Sequence, residues 1–219
     1  MSSVVTYRPH RTTVGKLRAK LGRLLRYDAG VNVVSAAPPE PAAEHNPLKP
    51  IVPRMCTVRE DELPLLESLV RESNGFPGPI IEIGALLGVS TTHMALLKSH
   101  DKKIITVDGF FWNPWGLTSE QHRDITTQML HYLTQTNHVE LVVSCKNAFY
   151  ENYRGEAPSL VFLDAIHDYP ETAKDIAWAK SVGAKIISGH DYSDDFPGVI
   201  EAVDEVGGPK QLMGSVWRL

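Results

Sequence analysis

The feature that most constrains this chain is the alternation, after residue 78, of short apolar segments with longer segments whose apolar residues recur at helical spacing. Apolar strands separated by helices of about ten or more residues predict an α/β fold with a doubly wound, mostly parallel sheet and helices on both faces. The predicted strands cover 79–85, 103–110, 139–145, 159–165 and 184–192, and the predicted helices 61–73, 89–100, 118–136, 170–182 and 198–206. Asp61 and Pro170 suit the starts of two of these helices. The last segment, "QLMGSVWRL" (211–219), predicts a short antiparallel end with a tight turn at Gly214.

Residues 1–55 have a different character from residues 56–219, which we predict to form the compact domain. Residues 13–27 form a basic amphipathic pattern, and residues 1–30 hold seven Lys and Arg against one Asp. We expect this helix to pack on the body or on a second subunit, giving a homodimer, rather than to bind an anionic membrane surface. Six prolines within residues 36–53 indicate a linker.

Bulk composition excludes several classes of protein. The net charge of −4 does not suggest a protein that binds nucleic acid. The two cysteines, Cys56 and Cys145, cannot build a disulfide framework or a zinc cluster. No apolar run approaches the length of a membrane span, and the first residues lack the apolar core of a signal peptide. We therefore expect a cytoplasmic protein.

In a parallel sheet of this kind, ligands bind at the carboxyl ends of the strands. The first strand ends in Glu82-x-Gly84-x-x-x-Gly88, followed by the hydroxyls of Ser90 and Thr91. Such a turn suits an anionic group, since glycine admits a close backbone approach and the next helix offers free N–H groups. Tight packing of strand on helix would explain the same glycines.

Two further polar residues follow the second and third strands. Asp108, 24 residues beyond Gly84, is placed to accept both hydroxyls of a ribose. Asn147 is placed to reach the edge of an adenine. Together with the glycine turn, these residues favour a binding site for a nucleoside. The alternative is that they are solvated loop residues that follow the strands by coincidence.

Acidic and imidazole groups gather at the fourth and fifth strand ends, in "LDAIHDYP" and "GHDY". Asp164 and Asp191 are predicted to bind one divalent cation, with His190 as a third ligand, and magnesium suits such oxygen ligands. The alternative is that one Asp caps a helix and the other pairs with a cation. Asp168 is expected to be a solvated neighbour.

His167 is a candidate general base. Its unperturbed pKa of about 6.5 suits proton removal near neutrality, although a lone histidine is more often a packing residue. A nearby divalent cation would keep its imidazole neutral.

Four segments together resemble the class I S-adenosylmethionine-dependent methyltransferases, which have a Rossmann-like fold. They are "IIEIGALLGVST", "ITVDGF", "VFLDAIHDYPETAKDIAWA" and "IISGHDYSDDFPGVIEAVDEV". The most similar branch is the metal-dependent sugar O-methyltransferases, which include macrocin O-methyltransferase-like and cephalosporin-hydroxylase-like proteins. The resemblance covers roughly residues 57–219 in order and spacing.

The resemblance implies a role for each matching residue. Gly84 and its turn, with Glu82, Ser90 and Thr91, would hold the methionine part of S-adenosylmethionine, and Asp108 would hold its ribose. Asp164 and Asp191 would bind Mg²⁺, with Asp164 also beside the cofactor, and His167 would be the base. Some members have a carboxylate at the position of His190, so it binds metal or instead orients a water or the acceptor.

The acceptor is expected to be a saccharide or a glycosylated small molecule. Trp112 and Trp115, in "GFFWNPWG" (109–116), are placed to stack on sugar rings, or else to form a lid or a subunit contact. Tyr169 and Tyr192 are further predicted acceptor contacts.

Three other functions fit parts of this pattern. A catechol or another vicinal diol would also chelate the metal, and the same branch contains proteins associated with hydroxylation. The third alternative is a non-catalytic subunit that binds the cofactor, against which the set of Asp164, His167 and Asp191 argues.

Overall fold

The computed structural model describes residues 58–219. The predictions for residues 1–55, which are the basic helix and the proline-rich linker, lie outside the described residues. Within residues 58–219, seven strands form one sheet in the order β3-β2-β1-β4-β5-β7-β6, and only the pairings of β7 are antiparallel there. The predicted doubly wound, mostly parallel sheet with an antiparallel end is therefore confirmed.

Strands and helices alternate along the described chain until the final hairpin. The strands are β1 (Ile80–Ile83), β2 (Ile104–Asp108), β3 (Val139–Val143), β4 (Leu160–Leu163), β5 (Ile187–Gly189), β6 (Gln211–Met213) and β7 (Val216–Arg218). The helices are α1 (Leu63–Ser73), α2 (Val89–Ala95), α3 (Ser119–Met129), α4 (His131–Gln135), α5 (Lys146–Asn152), α6 (Tyr169–Ser181) and α7 (Pro197–Glu205). Gly214 turns the last hairpin with a φ of 60°, as predicted.

The core has two layers because β1 and β4 are covered on both faces. Ile80 and Leu160 point into the layer formed with α1 and α2, whereas Ile81 and Val161 point into the layer formed with α6 and α7. Every residue of these two strands is buried. Burial on both faces explains why the strands read as continuous apolar runs rather than as alternating ones.

Two local predictions are wrong, and a third is incomplete. The helix predicted over 118–136 is divided at Leu130, whose buried side chain packs where a Cβ on Gly88 would lie. Asp61 does not cap α1, since its carboxylate pairs with Arg59. Asp168 is exposed, as predicted, but it also caps α6 by accepting a hydrogen bond from the backbone N–H of Glu171 at 2.9 Å.

Among the described helices, none combines the length and the apolar character that crossing a bilayer requires. The predicted homodimer and the cytoplasmic location stay predictions.

Candidate active site

The carboxyl ends of β1, β4 and β5 are joined side by side through backbone hydrogen bonds. The N–H of Asp164 donates to the carbonyl of Ile83 at 2.8 Å, and the N–H of His190 donates to the carbonyl of Leu163 at 3.1 Å. The residues that follow these strands therefore lie together at one edge of the sheet, as the parallel topology predicts.

Unusual backbone conformations are concentrated at the same edge. Leu86, Phe110 and Asp191, which follow β1, β2 and β5, have positive φ angles of 48°, 56° and 63°. Non-glycine residues seldom adopt this region, and such strain gathers at functional sites where the surroundings hold it in place.

Asp164, His190 and Asp191 bring their ligand atoms within 4.8 Å of one another. Nδ1 of His190 lies 3.7 Å from Oδ1 of Asp164 and 3.3 Å from Oδ1 of Asp191. The side chains of His190 and Asp164 are only 4% and 11% exposed, so two acids and an imidazole share a largely dry pocket. The predicted grouping of these three residues is thus present in the structure.

The far side of His190 is held by a residue that the sequence did not suggest. Nε2 of His190 lies 3.2 Å from Oε2 of Glu62 and 3.0 Å from Oγ of Ser215, while its carbonyl accepts a hydrogen bond from Trp217. Glu62 is fully buried and also accepts hydrogen bonds from Ser215 and Arg59. Because Glu62 and His190 are 128 residues apart, no local pattern could reveal this pair.

The charges in this cluster stabilise one another. Burial favours the neutral form of Glu62, but its hydrogen bonds with His190, Arg59 and Ser215 lower its pKa to about 2. Burial likewise opposes ionisation of Asp164, yet His190 and His167 hold the pKa of its carboxyl well below the ordinary value. The pKa of His190 is raised, since the surrounding carboxylates outweigh its burial.

His167 lies on the opposite side of the carboxylates from Glu62. Its Nε2 is 3.0 Å from Oδ2 of Asp191 and 3.6 Å from Oδ1 of Asp164, and its ring packs on Phe196 with centroids 4.5 Å apart. Burial would lower the pKa of His167, but the two carboxylates raise it. The imidazole thus faces the two acids, and its role as a base stays a prediction.

The donor set fits a divalent cation. Nδ1 of His190 is buried without a hydrogen-bond partner, and it is aimed between two carboxylate oxygens. Two carboxylates and one imidazole leave positions for substrate oxygens, which suits a hard cation that keeps part of its hydration shell.

Comparison with known proteins agrees with this geometry. The profile of a family described as "Methyltransferase domain" matches residues 81–192, just over half of the chain. This chain belongs to that methyltransferase family. The matched range includes Gly84, Asp108, Asp164 and Asp191, and the predicted enzyme class is confirmed at the level of the family.

Solved methyltransferase structures share the fold of this domain at low sequence identity. CalS11, a TDP-rhamnose 3'-O-methyltransferase of calicheamicin biosynthesis, is 16% identical, with a TM-score of 0.58 over 96% of this chain and 95% of its own. An O-methyltransferase from Bacillus cereus in complex with SAH is 20% identical, with a TM-score of 0.52 over 86% of this chain and 78% of its own. TomG from Streptomyces achromogenes, in complex with SAM, is 18% identical, with a TM-score of 0.53 over 74% of this chain and 78% of its own. A search of the curated proteins finds no significant match.

In the methyltransferase domain, Glu82 lies beneath the predicted cofactor turn rather than at its surface. Its carboxylate is fully buried and accepts hydrogen bonds from the hydroxyls of Ser90, Thr91 and Thr106. Ser90 and Thr91 begin α2, so Glu82 fixes the start of this helix against β1 and β2. These three predicted cofactor residues therefore act in this structure by shaping the turn.

Glu82 is expected to make stability depend on pH. Burial outweighs its hydrogen bonds with Ser90, Thr106 and Thr91 and raises its pKa to about 7, so the folded protein holds a proton that the unfolded chain releases near pH 4.5. The free energy of unfolding should therefore fall by about 3 kcal/mol as the pH rises from about 4.5 to about 7.

Urea unfolding of wild type and Glu82→Gln across this range, in excess chelator, would measure the effect. The variant does not titrate at this position, so subtracting its profile removes the contribution of all other groups. A difference that stays flat with pH would contradict the assignment.

The carboxylate of Asp108 also stabilises the turn that follows β1. Its Oδ2 accepts from the backbone N–H groups of Ala85 and Leu86 at 3.0 and 2.9 Å, and its Oδ1 accepts from Phe110 at 2.7 Å. Oδ2 uses both of its lone pairs in this way, whereas Oδ1 keeps a second lone pair, so a ribose contact through Oδ1 stays compatible with this arrangement. Oδ1 of Asn147 is buried without a hydrogen-bond partner, so it is free to accept a hydrogen bond from the amino group of an adenine.

The predicted acceptor residues divide into two groups. Trp112 is 61% exposed beside Phe111, whereas Trp115 packs against the core. The hydroxyl groups of Tyr169 and Tyr192 donate to Glu205 and to Asp204 on α7. Of the four, Trp112 is the residue whose ring is free to meet a ligand.

Gly84 is expected to be indispensable for stability. It has a φ of +101°, and a Cβ there would overlap the carbonyl oxygen of Asp164. Gly84→Ala should therefore destabilise the protein by about 2–5 kcal/mol, combining backbone strain with overpacking. Gly207→Ala is the matched control, since Gly207 has a φ of +111° and open space around it. Equal losses in urea unfolding would show that the contact with Asp164 does not matter.

Proposed function

We propose that this protein is a magnesium-dependent O-methyltransferase that transfers the methyl group of S-adenosylmethionine to a hydroxyl of a saccharide or glycosylated metabolite. One observation carries the proposal: Asp164, His190 and Asp191 converge on a common point, with His167 beside them, at the ligand-binding edge of a methyltransferase domain.

The cofactor would lie along the ends of β1, β2 and β3. Gly84 and its turn would receive the methionine part, Asp108 the ribose and Asn147 the adenine. S-Adenosylmethionine supplies a methyl group that its sulfonium already activates. The S-adenosyl compounds bound to the Bacillus and Streptomyces proteins support this cofactor. The residues of this chain then have to orient an acceptor hydroxyl and remove its proton.

Asp164, Asp191 and His190 would hold the metal. Bound Mg²⁺ would supply positive charge that holds two neighbouring acceptor oxygens and lowers the pKa of the attacking hydroxyl. Asp164 is well suited to this task because His190 and His167 hold the pKa of its carboxyl below the ordinary value.

His167 would accept the proton of the acceptor hydroxyl at Nε2. Its ring is fixed against Phe196, and its Nε2 faces the space between the two carboxylates. Because the base is already positioned in the folded protein, no entropy has to be lost to order it when the transition state forms. Asp191, 3.0 Å away, would stabilise the imidazolium that forms.

The acceptor class has two lines of support. CalS11, which shares the fold across nearly the whole chain, is a TDP-rhamnose 3'-O-methyltransferase. Phe111 and Trp112 are 81% and 61% exposed in the loop that follows β2, where aromatic rings can stack on a sugar.

A methyl-transfer screen tests the proposal directly. The full chain is incubated with S-adenosylmethionine carrying a labelled methyl group and a panel of nucleotide sugars, oligosaccharides and glycosides, with and without Mg²⁺. Transfer to a saccharide only in the presence of Mg²⁺ is the expected result. Faster transfer to a catechol or another non-sugar diol than to any saccharide would show that the proposed acceptor class is wrong. Absence of cofactor binding, measured by calorimetry, would reject the proposed function.

A further inference from the structure

We infer that Glu62 is a positioning residue for the metal site: it holds the imidazole of His190 through Nε2, so that the lone pair of Nδ1 is directed between Asp164 and Asp191. The inference deepens the proposed function and rests on it. It concerns which nitrogen of His190 carries the proton and what fixes the plane of the ring.

The hydrogen bonds around Nε2 determine its protonation. Oε2 of Glu62 already accepts a hydrogen bond from the backbone N–H of Arg59 at 2.6 Å, and it lies 3.2 Å from Nε2. The hydroxyl of Ser215 donates its proton to Oε1 of Glu62 at 2.8 Å, so toward Nε2, 3.0 Å away, its oxygen can only accept. Both neighbours of Nε2 are acceptors, and therefore Nε2 carries a proton.

Nδ1 faces the two carboxylates of the proposed metal site, so it is the nitrogen whose proton a bound cation would replace. It is buried, lacks a hydrogen-bond partner, and lies 3.3 Å from Asp191 and 3.7 Å from Asp164. In a neutral imidazole with its proton on Nε2, Nδ1 presents a lone pair to this space. An imidazole that donates one N–H to a carboxylate and offers its other nitrogen to a metal is a common arrangement in metalloproteins.

Glu62 is itself held in place by hydrogen bonds from two backbone N–H groups. It occupies the position before α1 but makes no side-chain capping bond to that helix. Its carboxylate instead turns inward and accepts from the N–H of Arg59 at 2.6 Å and from the N–H of Ser215 at 2.7 Å. The N-terminal end of α1 and the β6–β7 hairpin are thereby tied to the same carboxylate that orients His190.

The test compares the affinity for Mn²⁺, used as a spectroscopic probe for Mg²⁺, of full-length wild type, Glu62→Gln and Asp61→Asn. Asp61 is the neighbouring acid, 69% exposed and paired with Arg59, and is the matched control. Electron paramagnetic resonance measures free Mn²⁺ without any acceptor or cofactor. Glu62→Gln is expected to weaken binding by about 10–100-fold, the usual effect of losing such a partner, and Asp61→Asn to leave it unchanged.

A second measurement needs no substitution and therefore does not depend on how well the variant folds. Nitrogen-15 NMR of the wild-type imidazoles with Mg²⁺ should show His190 protonated at Nε2 and not at Nδ1. Equal Mn²⁺ affinity of wild type and a folded Glu62→Gln, or a proton on Nδ1, would overturn the role of Glu62 and leave the proposed function standing. Failure of the wild type to bind either cation would overturn both.

Discussion

Replacement of His167 by alanine is expected to lower kcat by about 10²–10⁴-fold, the usual contribution of a positioned general base. The affinity for S-adenosylmethionine should stay close to that of wild type, because His167 contacts the two acids and Phe196 rather than the turn at Gly84. Steady-state kinetics on the acceptor found in the screen and calorimetry of cofactor binding would measure both quantities.

Two further experiments distinguish a role of His167 as a general base from a role in packing. His131→Ala removes an exposed imidazole on α4 and should leave kcat unchanged. Free imidazole should restore part of the activity of His167→Ala, since the vacated space admits a small base. Collapse of cofactor binding together with activity would instead make His167 a structural residue.

Removal of the metal is expected to have an effect of similar size. Methyl transfer in excess EDTA should fall by at least about 10²-fold, because a bound cation contributes several kcal/mol of transition-state stabilisation and about 1.4 kcal/mol is tenfold in rate. Added Mg²⁺ should restore activity. Full turnover in excess chelator would eliminate the role assigned to Asp164, His190 and Asp191.

Asp191→Asn should reproduce the loss in the presence of Mg²⁺. Asparagine keeps the shape of the side chain and, like aspartate, tolerates the positive φ of 63° at this position, so the substitution removes charge with little backbone cost. Asp124→Asn, at an exposed acid on α3, is the control for a general loss of negative charge. Retained Mn²⁺ affinity in Asp191→Asn would show that this carboxylate is not a ligand.

Much of the fold could be predicted because the signals for parallel strands are local. The run "LVFL" is apolar throughout and "IIEI" is apolar apart from Glu82, since both faces of β1 and β4 are buried. The errors arose where a side chain finds a partner that the local pattern does not reveal. Leu130, at which the predicted helix is divided, packs beside Gly88, and the carboxylate of Asp61 pairs with Arg59 instead of capping α1.

Some features of this methyltransferase domain follow from the sequence alone, and others follow only from the tertiary structure. The sequence by itself determined which chemical groups follow each strand, among them Asp164, His167, His190 and Asp191, because strand period and parallel topology are enough to place strand ends at one edge. Only the tertiary structure decided where each side chain points. Glu82 turns to three hydroxyls from α2 and β2, and Glu62 reaches His190 across 128 residues, since buried polar groups take whichever partners the packed chain brings within reach.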